Sequence, residues 1–174
     1  MPRKIEKIAW IIFFMMIIIL FVSSSMTYKQ QTIVPLLNEK VPQKPVDSVL
    51  NNVQVTYGGI DESIQGVGYS GLIEFIIRKI AHFGSYFILG ASLWIASYRY
   101  VNKKNLLFMF TWLTTTGLAA FDEFHQWFAA GRSPLVSDVM LDSCGALVGI
   151  LLTMLLFKLI FKQKKLVNNS SSLI

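Results

Sequence analysis

Polar and ionisable side chains recur in the second half of this sequence at spacings of three or four residues. Such spacings place two side chains on one face of a helix. The pairs are Arg78 and His82, Glu123 and Gln126, and Asp138 and Asp142. A histidine suits proton transfer near neutral pH, and a carboxylate can serve as its partner base or as a nucleophile. The pattern therefore predicts a polar site to which three helices contribute.

The predicted catalytic residues are His82, Glu123 and Asp142. His82 would move a proton, Glu123 would act as the partner base or nucleophile, and Asp142 would orient the ring of His82. The chain contains no HExxH, GxSxG or P-loop motif. For these residues and Arg132, the competing interpretation to any function is an ion-pair network that only holds the helices together.

Binding roles are predicted for the neighbouring cations and for one amide. The residues are Arg132, Gln126, Lys79 and Arg78. Arg132 could hold a phosphate or carboxylate through two parallel hydrogen bonds. Glu123, Asp138 and Asp142 carry the oxygen ligands that a hard divalent cation prefers. These carboxylates could instead only orient His82 and Arg132, and the sequence assigns no other cofactor.

The residues just described lie in a strongly apolar chain of 174 residues. Hydrophobic residues make up 53% and charged residues 15% of it, whereas a soluble domain has about 25% charged residues. The chain has 16 Lys and Arg against 10 Asp and Glu. The basic residues flank apolar runs and form no patch, which argues against a nucleic-acid partner. The single cysteine, Cys144, excludes an intrachain disulfide framework.

Four apolar stretches are long enough to cross a bilayer, which takes about 20 helical residues. They are residues 5–25, 80–98, 106–123 and 138–160. The first stretch could also be a signal peptide cleaved near residues 23–25. Residues 26–71 would form a long external loop, with a turn at Gly58-Gly59 and a short helix over 64–77. Residues 161–174 would form a cytoplasmic tail, disordered over 168–172.

The distribution of Lys and Arg fixes the predicted orientation, because basic residues concentrate on the cytoplasmic side. The basic clusters before the first stretch, between the second and third, and after the fourth all belong to one side. Nine of the ten acids belong to the other side. The predicted fold is an all-α integral membrane protein, a four-helix transmembrane bundle with both termini inside. The candidate polar residues then gather near the outer leaflet.

The order of the motifs resembles that of the VanZ-like family. Residues 79–83 (KIAHF) resemble its K-x-x-H-F opening, and residues 123–128 (EFHQWF) its E-x-x-Q-x-F segment. Gly131-Arg132 matches the G/P-R turn that follows. Residues 138–149 resemble the D-v-x-x-N-x-x-G-x-x-x-G helix, with Asp142 where the family often carries Asn.

The resemblance implies a multipass protein of the plasma membrane, similar to one associated with low-level teicoplanin resistance in Gram-positive bacteria. Its partners would be the lipid bilayer and a lipid-linked or glycan intermediate of the cell envelope. Three functions stay open: an envelope enzyme, a non-catalytic protein that binds or shields a lipid head group, and a transporter. The transporter is least favoured, because the predicted helices are few and no inverted repeat is present.

Overall fold

The computed structural model describes residues 3–40, 56–61, 63–128 and 135–171. Within these ranges the chain forms six helices and one hairpin. In chain order they are α1 (Arg3–Ser24), α2 (Tyr28–Gln31), α3 (Val34–Lys40), β1 (Thr56–Tyr57), β2 (Ile60–Asp61), α4 (Ile64–Ser97), α5 (Lys104–Gln126) and α6 (Val136–Ser171). The four long helices lie where the sequence predicts the four apolar stretches.

Three of the helices are long and apolar enough to cross a membrane: α1, α4, and α6 up to Ile160. Helix α5 has 23 residues, which is a sufficient length. Its composition is more polar, because it carries Thr111 and Thr114–Thr116 and ends close to Asp122 and Glu123. The structure therefore has three candidate membrane-spanning helices and a fourth long helix that is more polar, and the count of four spans stays a prediction.

The long helices alternate in direction, as contacts at the two ends of the bundle show. At one end, Glu6 of α1 accepts hydrogen bonds from Arg99 Nη1 (3.3 Å) and the Tyr100 hydroxyl (2.7 Å), just beyond α4. At the other end, Ser24 Oγ of α1 lies 3.0 Å from Nδ1 of His125 on α5. We call the first the Glu6 end and the second the Ser24 end.

Helices α4 and α6 make the closest contact in the bundle, because glycines let their backbones approach. A Cβ atom built on Gly145 or Gly149 of α6 would collide with the carbonyl oxygen of Phe83 or Phe87 on α4. Gly90 of α4 approaches α6 in the same way. The glycines that follow Asp142 therefore allow α6 to pack closely against α4.

The predicted helix over 64–77 is present, but it is continuous with the second long helix. Helix α4 begins after Ser63, whose side chain accepts a hydrogen bond from the backbone N–H of Gly66 (3.1 Å). Gly68, with φ 75° and ψ 168°, kinks the helix near its start. A positive φ favours glycine, which explains the residue at this position.

The predicted external loop contains more regular structure than the sequence indicates. Helices α2 and α3 and a two-stranded hairpin lie within residues 26–71. The predicted turn at Gly58-Gly59 closes the hairpin, with φ values of 58° and 84°. This hairpin is the exception to the all-α prediction among the described residues. Two prolines of this loop, Pro42 and Pro45, are unfavourable within a helix, but they lie outside the described residues.

The prediction of a disordered tail over residues 168–172 is wrong for its described part, because α6 continues through Ser171. Neither Gly nor Pro interrupts this helix after Ile160, and the Lys, Gln and Leu residues over 162–166 favour helix up to the weaker helix formers at 168–171.

Candidate functional site

His82 of α4 and Asp142 of α6 face each other across the close contact between these helices. The distance from His82 Nδ1 to Asp142 Oδ2 is 3.3 Å. Asp142 is 2% exposed, and its second oxygen, Oδ1, is buried without a hydrogen-bond partner among the described residues. Gly145, one turn further along α6, brings the two backbones together here. The structure therefore pairs two of the three predicted catalytic residues.

Lys79 and Asp138 form a second pair between the same two helices, with Nζ 2.5 Å from Oδ1. The Tyr57 hydroxyl donates a hydrogen bond to the same oxygen (2.5 Å), and Lys79 Nζ lies 4.2 Å from the centre of the Tyr57 ring. Burial and the Asp138 carboxylate raise the pKa of Tyr57 well above its usual range, so it remains a donor at neutral pH. Tyr57 carries no signal in the sequence that links it to Asp138, because only the folded hairpin brings the two residues together.

Arg78 forms hydrogen bonds within α4 and to α2, and it does not contact the His82–Asp142 pair. It donates hydrogen bonds to Glu74 Oε1 (3.1 Å) and to Gln31 Oε1 of α2 (3.0 Å). The other oxygen of Glu74 accepts bonds from Thr32 Oγ1 (2.7 Å) and from the backbone N–H groups of Ile33 (3.0 Å) and Val34 (3.1 Å). Arg78 and Glu74 thus fasten the segment after α1 onto α4, a role that the sequence analysis missed.

Glu123 lies beside the start of α6. Its Oε1 accepts a hydrogen bond from the backbone N–H of Leu135 (2.6 Å), and the residue is 7% exposed. A carboxylate is favoured at this position, since the N-terminus of a helix carries a partial positive charge. Ser137 lies in the first turn of α6, and its hydroxyl oxygen is buried.

Gln126 lies next to Asp122 on α5, with Nε2 donating to Oδ2 (2.9 Å). Both residues are 8% exposed, so the face of α5 that carries them is covered by the protein at this end.

Five titratable residues from three helices lie close enough for their charges to interact. They are His82, Asp122, Glu123, Asp138 and Asp142, and we call them the polar cluster. The structure thus brings together residues that are up to 60 positions apart in the chain. Gly131 and Arg132 lie outside the described residues, so the predicted convergence of Arg132 on this cluster stays a prediction.

The predicted cation site does not have the arrangement of a metal centre. Among residues 3–40, 56–61, 63–128 and 135–171, no three His, Cys, Asp or Glu side chains are grouped so that they could hold a metal ion. The carboxylates of Glu123, Asp138 and Asp142 are directed to separate protein donors.

A cavity of about 100 Å³ lies beside the polar cluster, between α1, α4 and α5. Its walls include Ile17, Leu20 and Leu118, and Tyr86 and Asp122 also line it. Asp122 therefore belongs both to the polar cluster and to the lining of this mostly apolar space. The cavity has no signature in the sequence, because its lining is assembled from three helices.

Comparison with protein families identifies the chain's relatives at the level of a family. A model of the VanZ/LLP1 family matches residues 8–158, which include α4 and α5 and most of α1 and α6. Neither the curated proteins nor the solved structures contain a match to the chain.

Proposed function

Because the chain belongs to the VanZ/LLP1 family, we propose that it is a membrane protein that binds the head group of a cell-envelope lipid or glycan intermediate. Binding would change how glycopeptide antibiotics such as teicoplanin meet their target, in keeping with the link of VanZ-like proteins to glycopeptide resistance. The polar cluster would be the binding site.

The proposed topology has four spans in the plasma membrane, with both termini in the cytoplasm. Arg3, Lys4 and Lys7 lie in the first turns of α1, and Arg99 and Lys103 lie between α4 and α5. Since basic residues favour the cytoplasmic side, the Glu6 end would face the cytoplasm. The Ser24 end would then lie at the outer leaflet, where envelope intermediates are exposed.

The observation that carries the proposal is the unpartnered oxygen of Asp142 beside His82. Buried polar atoms normally have a hydrogen-bond partner, so this oxygen is suited to accept a bond from a ligand. Lys79 and Arg78 are already paired with Asp138 and Glu74. The described part of the site therefore offers hydrogen-bond acceptors. Such acceptors suit the hydroxyl groups of a glycan or glycerol head group, because a hydroxyl group can donate a hydrogen bond to them.

Catalysis is the second candidate, and the His82–Asp142 pair favours it. If Nδ1 of His82 donates to Asp142, the other ring nitrogen is an acceptor for a substrate proton. An oriented imidazole of this kind can act as a general base towards a hydroxyl group. The charges of Glu123 and Asp138 would then act on His82 and the substrate from a distance, and neither side chain would contact the reacting atoms.

Lipid extraction from cells with and without the protein separates the two functions. Binding predicts an intact lipid that copurifies with the protein and is lost with His82→Asn. Catalysis predicts a new cleaved or transferred species that disappears in the same variant. A lipid profile and a teicoplanin susceptibility that are identical with wild-type, His82→Asn and no protein would contradict both.

A further inference from the structure

The cavity between α1, α4 and α5 has the size and lining of a site for part of a single lipid chain. Its volume is about 100 Å³, somewhat below the roughly 150 Å³ of an apolar cavity that binds benzene. It therefore has room for a few carbon atoms. Ile17, Leu20 and Leu118 supply apolar walls.

The cavity opens onto exposed apolar side chains at the surface of the bundle. Phe21 and Phe121 both line it, and they are 54% and 59% exposed. Ile18, beside this opening on α1, is 63% exposed and also apolar. A chain could therefore enter sideways from the bilayer, with its remaining length outside the protein.

Polar groups line the same space as the apolar walls. Ser24, Asp122 and His125 are among the lining residues. Tyr86 also lines the cavity, is 0% exposed, and has a hydroxyl without a hydrogen-bond partner among the described residues. A buried hydroxyl normally has a partner, so Tyr86 is a second, independent indication of a ligand.

The charges around Tyr86 decide which head group fits. Asp122, Glu123 and Asp142 all lie within electrostatic range of its hydroxyl. Ionised carboxylates accept hydrogen bonds and cannot donate them. A phosphate attached directly to the chain would be repelled here, whereas a neutral hydroxyl could donate to Asp122 and accept from Tyr86.

We infer that this cavity binds the chain of a lipid whose head is a neutral hydroxyl group, with the hydroxyl at Tyr86 and Asp122. The inference rests on the proposed function and narrows its ligand class. It places the hydroxyl next to the polar cluster, which Asp122 shares with His82 and Asp142. A polyprenol and a diacylglycerol both carry this chemistry.

Photocrosslinking tests the inference on the full chain in nanodiscs of phosphatidylethanolamine and phosphatidylglycerol. The probe is a long-chain primary alcohol with a diazirine near its hydroxyl end. We expect crosslinks within residues 17–24 and 118–125. Polyprenol and diacylglycerol are then added separately as competitors, and the stronger competitor identifies which of the two lipids the cavity prefers. An alkyl phosphate of equal chain length should compete at least about tenfold more weakly. Equal competition by the phosphate would overturn the assignment of the head group.

Two variants locate the ligand. Leu118→Trp fills the cavity and should reduce crosslinking about tenfold or more. Leu113→Trp is the matched control on the same helix, because Leu113 is 61% exposed and does not line the cavity, and it should leave crosslinking unchanged. Equal crosslinking of both variants and the wild type would overturn the assignment of the cavity.

Tyr86→Phe removes only the hydroxyl group. It tests whether this hydroxyl group binds the ligand, even if Leu118→Trp fails to fold. Crosslinking by the alcohol should fall about three- to tenfold, as expected for one lost hydrogen bond. An unchanged yield would show that the hydroxyl binds no ligand. If the cavity variants have no effect but His82→Asn still alters the lipid profile, this inference fails and the proposed function stands.

Discussion

Nδ1 of His82 lies 3.3 Å from Oδ2 of Asp142, while the other oxygen of the same carboxylate is buried without a partner among the described residues. One oxygen of Asp142 is thus bound to the protein, and the other is a buried acceptor without a partner among the described residues. The pair lies where Gly145 brings α6 against the backbone of α4 at Phe83. Close helix packing therefore holds the two side chains at a fixed separation.

Replacing both members of this pair separates its structural role from its function. His82→Phe leaves Asp142 without its partner and should lower the free energy of unfolding by about 1–3 kcal/mol. The double variant His82→Phe with Asp142→Leu should recover most of this loss, because the polar pair is removed as a unit. Chemical unfolding in micelles measures the stability.

The function of the double variant is tested by measuring the teicoplanin susceptibility of cells together with the abundance of the variant in their membranes. We expect the double variant to be abundant but inactive. A double variant that regains both abundance and the wild-type phenotype would show that the pair only holds α4 and α6 together.

Glu123→Gln tests the carboxylate beside α6. The amide oxygen can still accept the bond from Leu135, so the variant should lose only the charge interaction with the helix N-terminus, about 0.3–1 kcal/mol. The protein should remain abundant while its effect on susceptibility disappears. A normally abundant and fully active Glu123→Gln variant would exclude a role for the charge of Glu123.

Combining Glu123→Gln with Arg132→Gln tests whether these two residues form a structural pair. If they do, the single variants should be less abundant than the double variant, since a buried charge without its partner is destabilising. Recovery of abundance and phenotype together in the double variant would assign Glu123 to architecture. Persistent inactivity at normal abundance would assign it to function.

Gly149→Ala should destabilise the bundle by about 1–3 kcal/mol, because the added methyl group meets the carbonyl oxygen of Phe87. Gly117→Ala on α5 is the matched control, since nothing lies within 4 Å of its added Cβ atom. The control should be neutral or slightly stabilising, as alanine favours a helix over glycine. Thermal unfolding of the two purified variants gives the comparison, and equal midpoints would disprove the close α4–α6 contact.

Cysteine labelling tests the proposed orientation in a Cys144→Ser background. Asn102→Cys lies in the exposed turn between α4 and α5 and should react with an impermeant reagent only after the membrane is opened. Phe128→Cys, just beyond α5 and 75% exposed in the wild type, should react in intact cells. Labelling of Asn102→Cys from outside, with Phe128→Cys protected, would reverse the topology.

The sequence by itself determined the long helices and much of their detail. Apolar runs predict helices because an isolated backbone cannot satisfy its polar groups in hydrocarbon, and the predicted 5–25 and 106–123 agree closely with Arg3–Ser24 and Lys104–Gln126. Local chemistry also indicated the hairpin turn, since Gly58-Gly59 adopts positive φ. The family resemblance likewise came from the order of local motifs, and the family match confirms it.

Only the tertiary structure decided which polar groups meet. Spacing put Arg78 and His82 on one helix face, yet Arg78 contacts Glu74 and α2 while His82 contacts Asp142. The partner of Glu123 is a backbone N–H at the start of α6, which a list of side-chain types does not reveal. Periodicity determines the face of a helix, but a hydrogen bond requires two atoms within about 3 Å. That distance depends on how α4, α5 and α6 pack, and the packing is set by glycines and side-chain volumes distributed along the whole chain.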